Sequence, residues 1–425
     1  MKKFAISTLG CKVNQYESSA IKEELIVKGY EYVSFDESAD IYIINTCTVT
    51  NMAAKKSKQI IRRARILNKD AYVVVTGCLA QNTPLEIQEQ TGADLVLGNS
   101  EKSNIVKFIE GRNNRVTDIM SMDIYDNMHI SKADTRTRAY VKIQDGCVNF
   151  CTYCIIPFVR GPIRSRNLTD IINEITILVK NGVKEVVLTG IHLDSYGKDL
   201  ENIQLIDVIK QINKINGLKR IRLGSLEPTI ITMQFINEIK KLDKFCYHFH
   251  LSLQSGCDKT LKAMNREYTT KQFKDATTLI YDQLENSSIT TDIIVGFPNE
   301  SDDDFIDSYN FIKNIGFLKV HVFKYSRRKG TKAYNMANQI NGNIKAIRSK
   351  QMMQLANEMT NNFLNQYINK KVEVLTEEDA GKYIKSHTKS FVSVLIEKSD
   401  SKLNEIYNVV ITENKGEYLK GTISE

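Results

Sequence analysis

The sequence has little of what marks fibrous, disordered or membrane-spanning chains. Only 5 prolines and 21 glycines occur among 425 residues, and 42% of the residues are hydrophobic, so collagen-like and disordered classes are excluded. No apolar run approaches the ~20 residues that cross a bilayer, and the first ten residues lack the apolar core of a signal peptide. We therefore expect a cytoplasmic chain with no membrane partner and roughly three domains of about 150 residues.

Acidic residues are absent from two long segments. Seven lysines and arginines and no acid lie between Asp40 and Asp70, and ten lie between Asp307 and Glu358. A stretch of one charge sign attracts a polyanion, although a single basic stretch is more often the solvated face of a helix or loop. Because two such stretches occur on different segments, nucleic acid is the favoured partner.

The eight cysteines are more typical of metal ligands or nucleophiles than of disulfides, because the cytosol keeps thiols reduced. They form a tight C-x3-C-x2-C run, a dispersed set and an isolated pair: Cys147, Cys151 and Cys154; Cys11, Cys47 and Cys78; Cys246 and Cys257. We expect the isolated pair to pack as small apolar residues. The other two groups need separate explanations.

Residues 1–116 alternate short apolar runs with helical patterns, the first helix being predicted over 17–28. This alternation predicts a parallel sheet covered by helices. Cys11, Cys47 and Cys78 each follow a predicted strand directly. Ligands bind at that edge of an open parallel sheet, so three thiols from three loops are expected to converge. The alternative is three unrelated buried cysteines that share this placement by chance.

A second alternating array occupies residues 138–369, after a linker at 117–137 that lacks periodicity. Six strands are predicted, each followed by a helical stretch: 140–144, 185–189, 220–225, 248–253, 289–295 and 319–325. Six such units fit an open (β/α)6 barrel, a partial version of the eight-fold barrel, with its active site at the carboxyl ends of the strands. The predicted fold class is therefore α/β.

Residues 370–425 have a different pattern. Four short β-rich runs separated by polar turns predict a small all-β barrel: 372–376, 391–396, 406–412 and 418–423. Residues 367–425 carry nine basic and ten acidic residues, a net charge of −1. Contact of this module with nucleic acid therefore cannot rest on bulk electrostatics.

The tight cysteine run carries the most specific chemical signal. Three thiolates at this spacing can bind three irons of a cubane cluster, and without a fourth cysteine nearby one iron stays open to an outside ligand. Zinc is the alternative, but zinc fingers favour paired C-x2-C spacings with four protein ligands. Glycine-bearing turns at other predicted strand ends could together line the same pocket: Thr189-Gly190-Ile191, Gly224-Ser225-Leu226-Glu227, Gln254-Ser255-Gly256 and Gly296-Phe297-Pro298.

At this point the chain resembles a known family. Around the tight run it resembles the radical S-adenosylmethionine enzymes: Asp145-Gly146-Cys147, Phe150-Cys151-Thr152-Tyr153-Cys154 and Ile155-Ile156-Pro157. Three upstream loops resemble the methylthiotransferase branch that acts on N6-threonylcarbamoyladenosine (t6A) at position 37 of tRNA: Thr8-Leu9-Gly10-Cys11-Lys12-Val13-Asn14-Gln15-Tyr16-Glu17, Asn45-Thr46-Cys47-Thr48-Val49-Thr50 and Thr76-Gly77-Cys78-Leu79-Ala80-Gln81. The similarity extends over nearly the whole chain, and the C-terminal module resembles the RNA-binding TRAM domain.

The resemblance implies two [4Fe-4S] clusters and S-adenosylmethionine as cofactors. The catalytic cluster, whose open iron takes S-adenosylmethionine, would be held by Cys147, Cys151 and Cys154, and the second cluster by Cys11, Cys47 and Cys78. The residues implied at the S-adenosylmethionine pocket are Tyr153, Gly190, Ser225, Glu227 and Gln254. The implied partners are a tRNA with t6A in its anticodon loop and an electron donor such as flavodoxin or ferredoxin.

Three functions remain open on the sequence alone. The first is methylthiolation of t6A at C2 of the adenine. The second keeps this chemistry on isopentenyladenosine at position 37 of tRNA or on an aspartate of a ribosomal protein, and the third is a non-catalytic iron–sulfur protein that binds RNA. The loop that begins at Cys11 resembles the t6A group more than either other substrate group, so we predict a t6A methylthiotransferase.

Overall fold

The computed structural model describes residues 1–133 and 137–424. A parallel α/β sheet comes first, an open β/α barrel second and a closed β barrel last, which confirms the predicted α/β class. The part of the chain that the structure describes contains no helix that is long and apolar enough to cross a membrane. Short 3-10 turns lie at Lys102–Asn104, Ile119–Ser121, Leu193–Ser195, Pro228–Ile230, Lys332–Asn335 and Lys398–Asp400.

The N-terminal sheet has five parallel strands: β1 (Lys3–Thr8), β2 (Glu31–Tyr32), β3 (Ile41–Thr46), β4 (Tyr72–Gly77) and β5 (Leu95–Val96). Their spatial order is β2-β1-β3-β4-β5. Five helices flank them: α1 (Lys12–Val27), α2 (Asn51–Leu67), α3 (Cys78–Asn82), α4 (Pro84–Thr91) and α5 (Ile105–Gly111). The central strand β3 is buried along its whole length, which is why it reads as a nearly continuous apolar run.

Helix α1 starts five residues before the predicted boundary of 17. Cys11 is extended and forms its N-cap, and the first turns bury polar side chains as well as apolar ones. Asn14 and Glu17 are both almost fully buried. These buried polar residues interrupt the apolar period on which the predicted boundary depends.

The second array contains nine strands, all but β7 and β8 in parallel pairs: β6 (Arg138–Lys142), β7 (Gln144–Asp145), β8 (Arg164–Ser165), β9 (Glu185–Thr189), β10 (Arg220–Leu223), β11 (Ser225–Leu226), β12 (His248–Gln254), β13 (Ser288–Val295) and β14 (Lys319–Lys324). Its helices are α6 (Ile156–Arg160), α7 (Leu168–Lys180), α8 (Leu205–Asn213), α9 (Met233–Ile239), α10 (Asp258–Ala263), α11 (Thr270–Gln283), α12 (Asp302–Lys313) and α13 (Gly342–Asn365). β7 and β8 pair with each other, and the other seven strands form the sheets β10-β9-β6 and β11-β12-β13-β14.

The two sheets are halves of one open barrel, because β10 and β11 are consecutive parts of one predicted strand, interrupted at Gly224. Within the described ranges β6 and β14 do not pair, so the barrel stays open between them. The N-terminal sheet packs beside it: one hydrophobic cluster runs from Phe4 and Ile43 to Val141 and Ile175.

A buried ion network also joins the two domains. Glu17 of α1 accepts hydrogen bonds from Lys102, from Lys142 Nζ at 3.0 Å and from Arg160 Nη1 at 2.5 Å. Asp145 lies 2.6 Å from Lys142 and 3.2 Å from Arg160. Removing one partner of such a network is costly because it leaves an uncompensated buried charge.

The C-terminal barrel closes over five strands: β15 (Lys371–Ala380), β16 (Tyr383–Thr388), β17 (Ser393–Glu397), β18 (Ile406–Asn414) and β19 (Leu419–Ile423). The sequence pattern predicts four and misses β16, whose buried positions include Ser386 and His387. The C-terminal barrel docks at the amino ends of the strands of the open β/α barrel, which we call the catalytic barrel below. Arg220 donates to the carbonyl of His387 at 2.7 Å and Arg222 to that of Lys389 at 3.0 Å.

The segment predicted as a linker, 117–137, packs against both neighbours in its described part, and its residues 134–136 lie outside the described residues. Met128 and Ile130 are buried in the shared hydrophobic cluster. The hydroxyl of Tyr16 donates to the carbonyl of Met128 at 2.5 Å, and the amide of Ile130 donates to Glu174 at 2.7 Å.

Candidate active site

The tight cysteine run lies in the loop after β7, at the carboxyl end of the barrel. The amide of Cys147 donates to the carbonyl of Gly161 at 3.0 Å, and that of Cys154 to the carbonyl of Cys151 at 2.9 Å. Gly146 has φ +77°, and a Cβ there would lie 1.7 Å from the carbonyl oxygen of Pro162. Only glycine therefore fits the turn that starts the loop.

The environment of these thiols suits a metal cluster. Burial raises the pKa of Cys147 to about 11, and burial followed by the charge of Cys151 raises the pKa of Cys154 to about 12. Without a metal both side chains stay protonated at neutral pH. A donor set of three thiols alone, with no paired C-x2-C set beside it, fits a [4Fe-4S] cluster better than zinc.

The dispersed cysteines lie where the sequence places them, each directly after a strand of the N-terminal sheet: Cys11 after β1, Cys47 after β3 and Cys78 after β4. A Cβ at Gly10 would lie 3.0 Å from Sγ of Cys47, so the first loop runs against the second. Burial, followed by the charge of Cys78, raises the pKa of Cys47 to about 11. This thiol-only set also fits an iron–sulfur cluster.

Polar residues of the N-terminal domain hold the first two of these loops in place. Asn14 donates to the carbonyls of Leu9 at 2.7 Å and Thr46 at 3.1 Å. Ser57 donates to the carbonyl of Cys47 at 3.1 Å and accepts from its amide at 3.2 Å. Such outer contacts orient ligands around a metal centre.

The tight cysteine run and one cysteine of the dispersed set line one cavity of about 410 Å³. Its walls include all three cysteines of the tight run and Cys11, whereas Cys47 and Cys78 are buried and are not among its lining residues. All five pocket residues expected from the sequence line the same cavity: Tyr153, Gly190, Ser225, Glu227 and Gln254.

Arg266 is a site residue that the sequence interpretation misses. Its Nη1 lies 3.2 Å from Sγ of Cys151, its Nη2 donates to Glu227 Oε1 at 2.7 Å, and its guanidinium lies 4.8 Å from the ring centroid of Tyr268. Burial raises the pKa of Glu227, but His192, whose Nε2 lies 3.7 Å from Glu227 Oε1, and Arg266 outweigh it and lower the pKa overall. Glu227 is therefore a carboxylate on the cavity wall.

Further polar side chains occupy the barrel interior next to this cavity. His250 Nε2 lies 3.3 Å from Asp292 Oδ2, and Asp292 is the strand partner of His321. Lys12, the residue after Cys11, has its Nζ 5.9 Å from the ring centroid of Tyr140. Burial, followed by the charges of Arg222 and Arg138, lowers the pKa of Lys12 to about 8.

Comparison with protein families divides the chain in the same way as the structure, into an N-terminal domain and a central barrel. Residues 3–98 match the family model described as uncharacterized protein family UPF0004. Residues 141–312 match the radical SAM superfamily, SAM being S-adenosylmethionine. The solved structure of a radical S-adenosylmethionine methyltransferase, TsrM, from Kitasatospora setae has a TM-score of 0.58 at 16% identity, over 78% of this chain and 77% of that one. This likeness supports the fold alone.

Curated relatives are similar over almost the full length. A Bacillus subtilis protein named threonylcarbamoyladenosine tRNA methylthiotransferase MtaB is 37% identical over 437 residues, 99% of this chain and 97% of its own. A protein of the same name from Aquifex aeolicus is 38% identical over 383 residues, 89% and 93% of the two chains. An Alkaliphilus oremlandii protein named tRNA-2-methylthio-N(6)-dimethylallyladenosine synthase is 36% identical over 440 residues, 99% and 93%.

Proposed function

The chain belongs to the radical S-adenosylmethionine methylthiotransferases of tRNA, and from that premise we propose that it converts t6A at position 37 of tRNA to 2-methylthio-t6A. Relatives named for t6A and the first cysteine loop favour this substrate over isopentenyladenosine and over a ribosomal aspartate. Membership of an enzyme family makes the non-catalytic interpretation the least favoured.

One observation carries the proposal. Cys11 from the N-terminal domain and the three cysteines of the barrel loop line the same cavity. A reaction that joins sulfur, a methyl group and an adenine carbon needs two centres that reach one substrate atom. The cavity supports that requirement, because a base that enters it meets the three cysteines of the barrel loop and Cys11 of the N-terminal domain in one place.

S-Adenosylmethionine and a [4Fe-4S] cluster are the cofactors of the radical SAM family. We propose Cys147, Cys151 and Cys154 as the ligands of that cluster, and Cys11, Cys47 and Cys78 as the ligands of a second one. When bound, the first cluster would supply the electron that cleaves S-adenosylmethionine to a 5′-deoxyadenosyl radical, and the second would be the place where the transferred sulfur is methylated, carried or supplied.

The chain's own residues bind and orient the reactants. Tyr153, Gly190, Ser225 and Gln254 form walls of the cavity beside the cysteine loop, where S-adenosylmethionine would bind. Glu227 presents a carboxylate there, fixed by Arg266 and by Asn149 Nδ2 at 3.0 Å. A carboxylate held in place by two donors can accept a hydrogen bond from the cofactor without reorganising.

The tRNA contact is proposed at a basic rim beside the cavity mouth, formed by exposed Lys55, Lys56, Lys324, Arg327 and Lys329. The amide of Asn51 donates to Ser326 at 3.0 Å and Arg328 donates to Asn51 Oδ1 at 2.8 Å, so the two acid-free segments meet here. The electron would come from a flavodoxin or ferredoxin, and we place the reaction in the cytoplasm with its tRNA.

The test is mass spectrometry of nucleosides from total tRNA of cells that lack a t6A methylthiotransferase, with and without this gene. We expect 2-methylthio-t6A only in cells with the gene. A change in isopentenyladenosine instead would move the chain to the other tRNA group, and no change in either nucleoside would point to the ribosomal protein. A Cys151→Ala gene serves as the matched inactive control.

A further inference from the structure

A lysine stands in the interior of the catalytic barrel. Lys12 is the first residue of α1, with its Nζ over the ring of Tyr140 on β6. The residue as a whole is exposed to solvent, yet burial lowers the pKa of its ammonium group, and charges on barrel strands β6, β9, β10 and β13 all act on it. These surroundings place the ammonium group in the interior of the barrel, which we call its lumen.

The carboxylates around Lys12 already have other partners. Glu185 accepts from Arg138 at 2.6 Å and from Arg222 at 3.0 Å, and Asp292 lies 3.3 Å from His250. Within residues 1–133 and 137–424, no carboxylate lies within ion-pair distance of Lys12 Nζ. The lumen thus contains a cation that the protein itself does not neutralise.

The surrounding charges favour an anion as its partner. The charged groups that act most on Lys12 are two arginines, Arg222 and Arg138, and two carboxylates, Glu185 and Asp292, so that with Lys12 itself the cations outnumber the carboxylates. A surplus of positive potential in an enclosed space attracts a negatively charged ligand. A bound carboxylate would serve as the ion-pair partner of Lys12.

A metal ion is the competing occupant of this lumen. His250, Asp292 and His321 offer ligand atoms within 4.8 Å of one another, a set that suits a divalent transition metal. The charge of Lys12, however, acts on both Asp292 and His321. An ammonium group so close to two of three ligands opposes the entry of a second cation, so the anion is the better supported occupant.

The substrate supplies an anion at the right place. The N6 substituent of t6A ends in a threonine carboxylate, whereas the isopentenyl group is an uncharged hydrocarbon. Lys12 is adjacent in sequence to Cys11, and consecutive Cα atoms are about 3.8 Å apart. A base whose C2 faces the Cys11 loop therefore has its N6 substituent within the reach of a lysine from the same loop.

We propose that Lys12 binds the threonine carboxylate of t6A and thereby selects t6A over adenosines with an uncharged N6 position. This inference rests on the proposed function and adds the residue that determines its substrate specificity. S-Adenosylmethionine also carries a carboxylate, so the experiment must separate the two sources.

The experiment compares binding of two anticodon stem–loops, one with t6A and one with unmodified adenosine at position 37, to the reconstituted full chain. Lys12→Gln and Lys12→Met remove the charge, Lys12→Arg keeps it, and Lys28→Gln removes an exposed charge from the other end of α1. We expect the wild type to prefer the t6A stem–loop by about 10- to 100-fold, the range of a charge-assisted hydrogen bond.

The neutral variants should bind both stem–loops with the affinity that the wild type has for the unmodified one, while Lys12→Arg and Lys28→Gln keep the preference. Iron content and cleavage of S-adenosylmethionine without RNA should equal those of the wild type, because the carboxylate in question belongs to the RNA. A retained preference in Lys12→Gln, an equal loss for both stem–loops, or a selective loss of cofactor cleavage would each overturn the proposal.

Binding and product formation are measured separately, so the proposed function and the proposed role of Lys12 can be contradicted independently of each other. A wild type that prefers the t6A stem–loop through Lys12 but forms no methylthio product would contradict the proposed function alone. A wild type that forms 2-methylthio-t6A at the same KM as Lys12→Gln would contradict the role of Lys12 alone.

Discussion

At the scale of single residues, the proposal assigns the cysteines to two clusters, three to each. We predict that the reconstituted wild type holds about eight irons per chain, two clusters of four. Cys151→Ala should lose about four of them and all cleavage of S-adenosylmethionine. Cys47→Ala should lose a similar amount of iron but keep cleavage, because its thiol lies in the other set.

Iron analysis and quantification of 5′-deoxyadenosine measure both outcomes. Cys257→Ala is the matched control, since this buried thiol is outside both sets and its removal should leave iron content and cleavage unchanged. If either ligand variant lost all iron, the assignment of the thiols to two separate sites would be unsupported.

Arg266 gives a second prediction at this scale. A donor to a cluster-ligating sulfur raises the reduction potential of the cluster, and Arg266 lies 3.2 Å from Sγ of Cys151. Arg266→Gln should therefore lower the potential and slow cleavage of S-adenosylmethionine by about 10- to 100-fold. A redox titration of Arg266→Gln combined with Cys47→Ala measures only the cluster at Cys151. A reduction potential equal to that of Cys47→Ala alone would exclude this role of Arg266.

The sequence predicts some of these residues and not others for a physical reason. Cysteines are rare in this chain, and their spacing and their positions after predicted strands are typical of metal ligands. The six cysteines of the two sets can therefore be found from the sequence. Arg266 and Lys12 are single charges among 58 lysines and arginines. Their positions depend on how distant segments fold together, which no local pattern records.

At the scale of elements, the basic rim joins α2 to the loop after β14. We predict that Lys56→Gln combined with Lys329→Gln weakens tRNA binding, because the variant neutralises fewer phosphates and releases fewer counterions. The slope of log affinity against log salt should become shallower by about 0.7 to 0.9 for each phosphate that the variant no longer neutralises. Filter binding at several salt concentrations measures the slope.

The control for the basic rim is Lys214→Gln with Lys219→Gln, two exposed lysines near the amino end of the catalytic barrel. This pair should leave the slope unchanged because it lies away from the cavity mouth. An equal effect of both double variants would show that the charge of the whole protein, not the rim, attracts tRNA.

Elements with a regular apolar period are predicted from the sequence within a few residues, as β3, β9 and β13 illustrate. Prediction fails where buried polar residues interrupt that period. Glu17 and Asn14 hide the start of α1 because they bind Arg160 and the loop carbonyls, and buried Ser386 and His387 hide β16. Tertiary hydrogen bonds stabilise these positions, and a local pattern does not contain them.

At the scale of the whole molecule, the N-terminal domain completes the catalytic barrel. It covers the open side between β6 and β14, contributes Cys11 and Lys12 to the interior, and is fixed there by the buried network around Glu17. The sequence predicts two separate features, a barrel with a cysteine run and a set of three dispersed cysteines. Only the folded chain shows that Cys11 of the dispersed set lines the same cavity as the cysteine run.

The most direct test of this account is a competition. The reconstituted wild type receives S-adenosylmethionine, a reductant and equal amounts of two tRNAs, one with t6A and one with isopentenyladenosine at position 37. Nucleoside mass spectrometry should detect 2-methylthio-t6A and unchanged isopentenyladenosine. Methylthiolation of isopentenyladenosine, or cleavage of S-adenosylmethionine with neither nucleoside changed, would contradict the central claim that this cavity methylthiolates t6A.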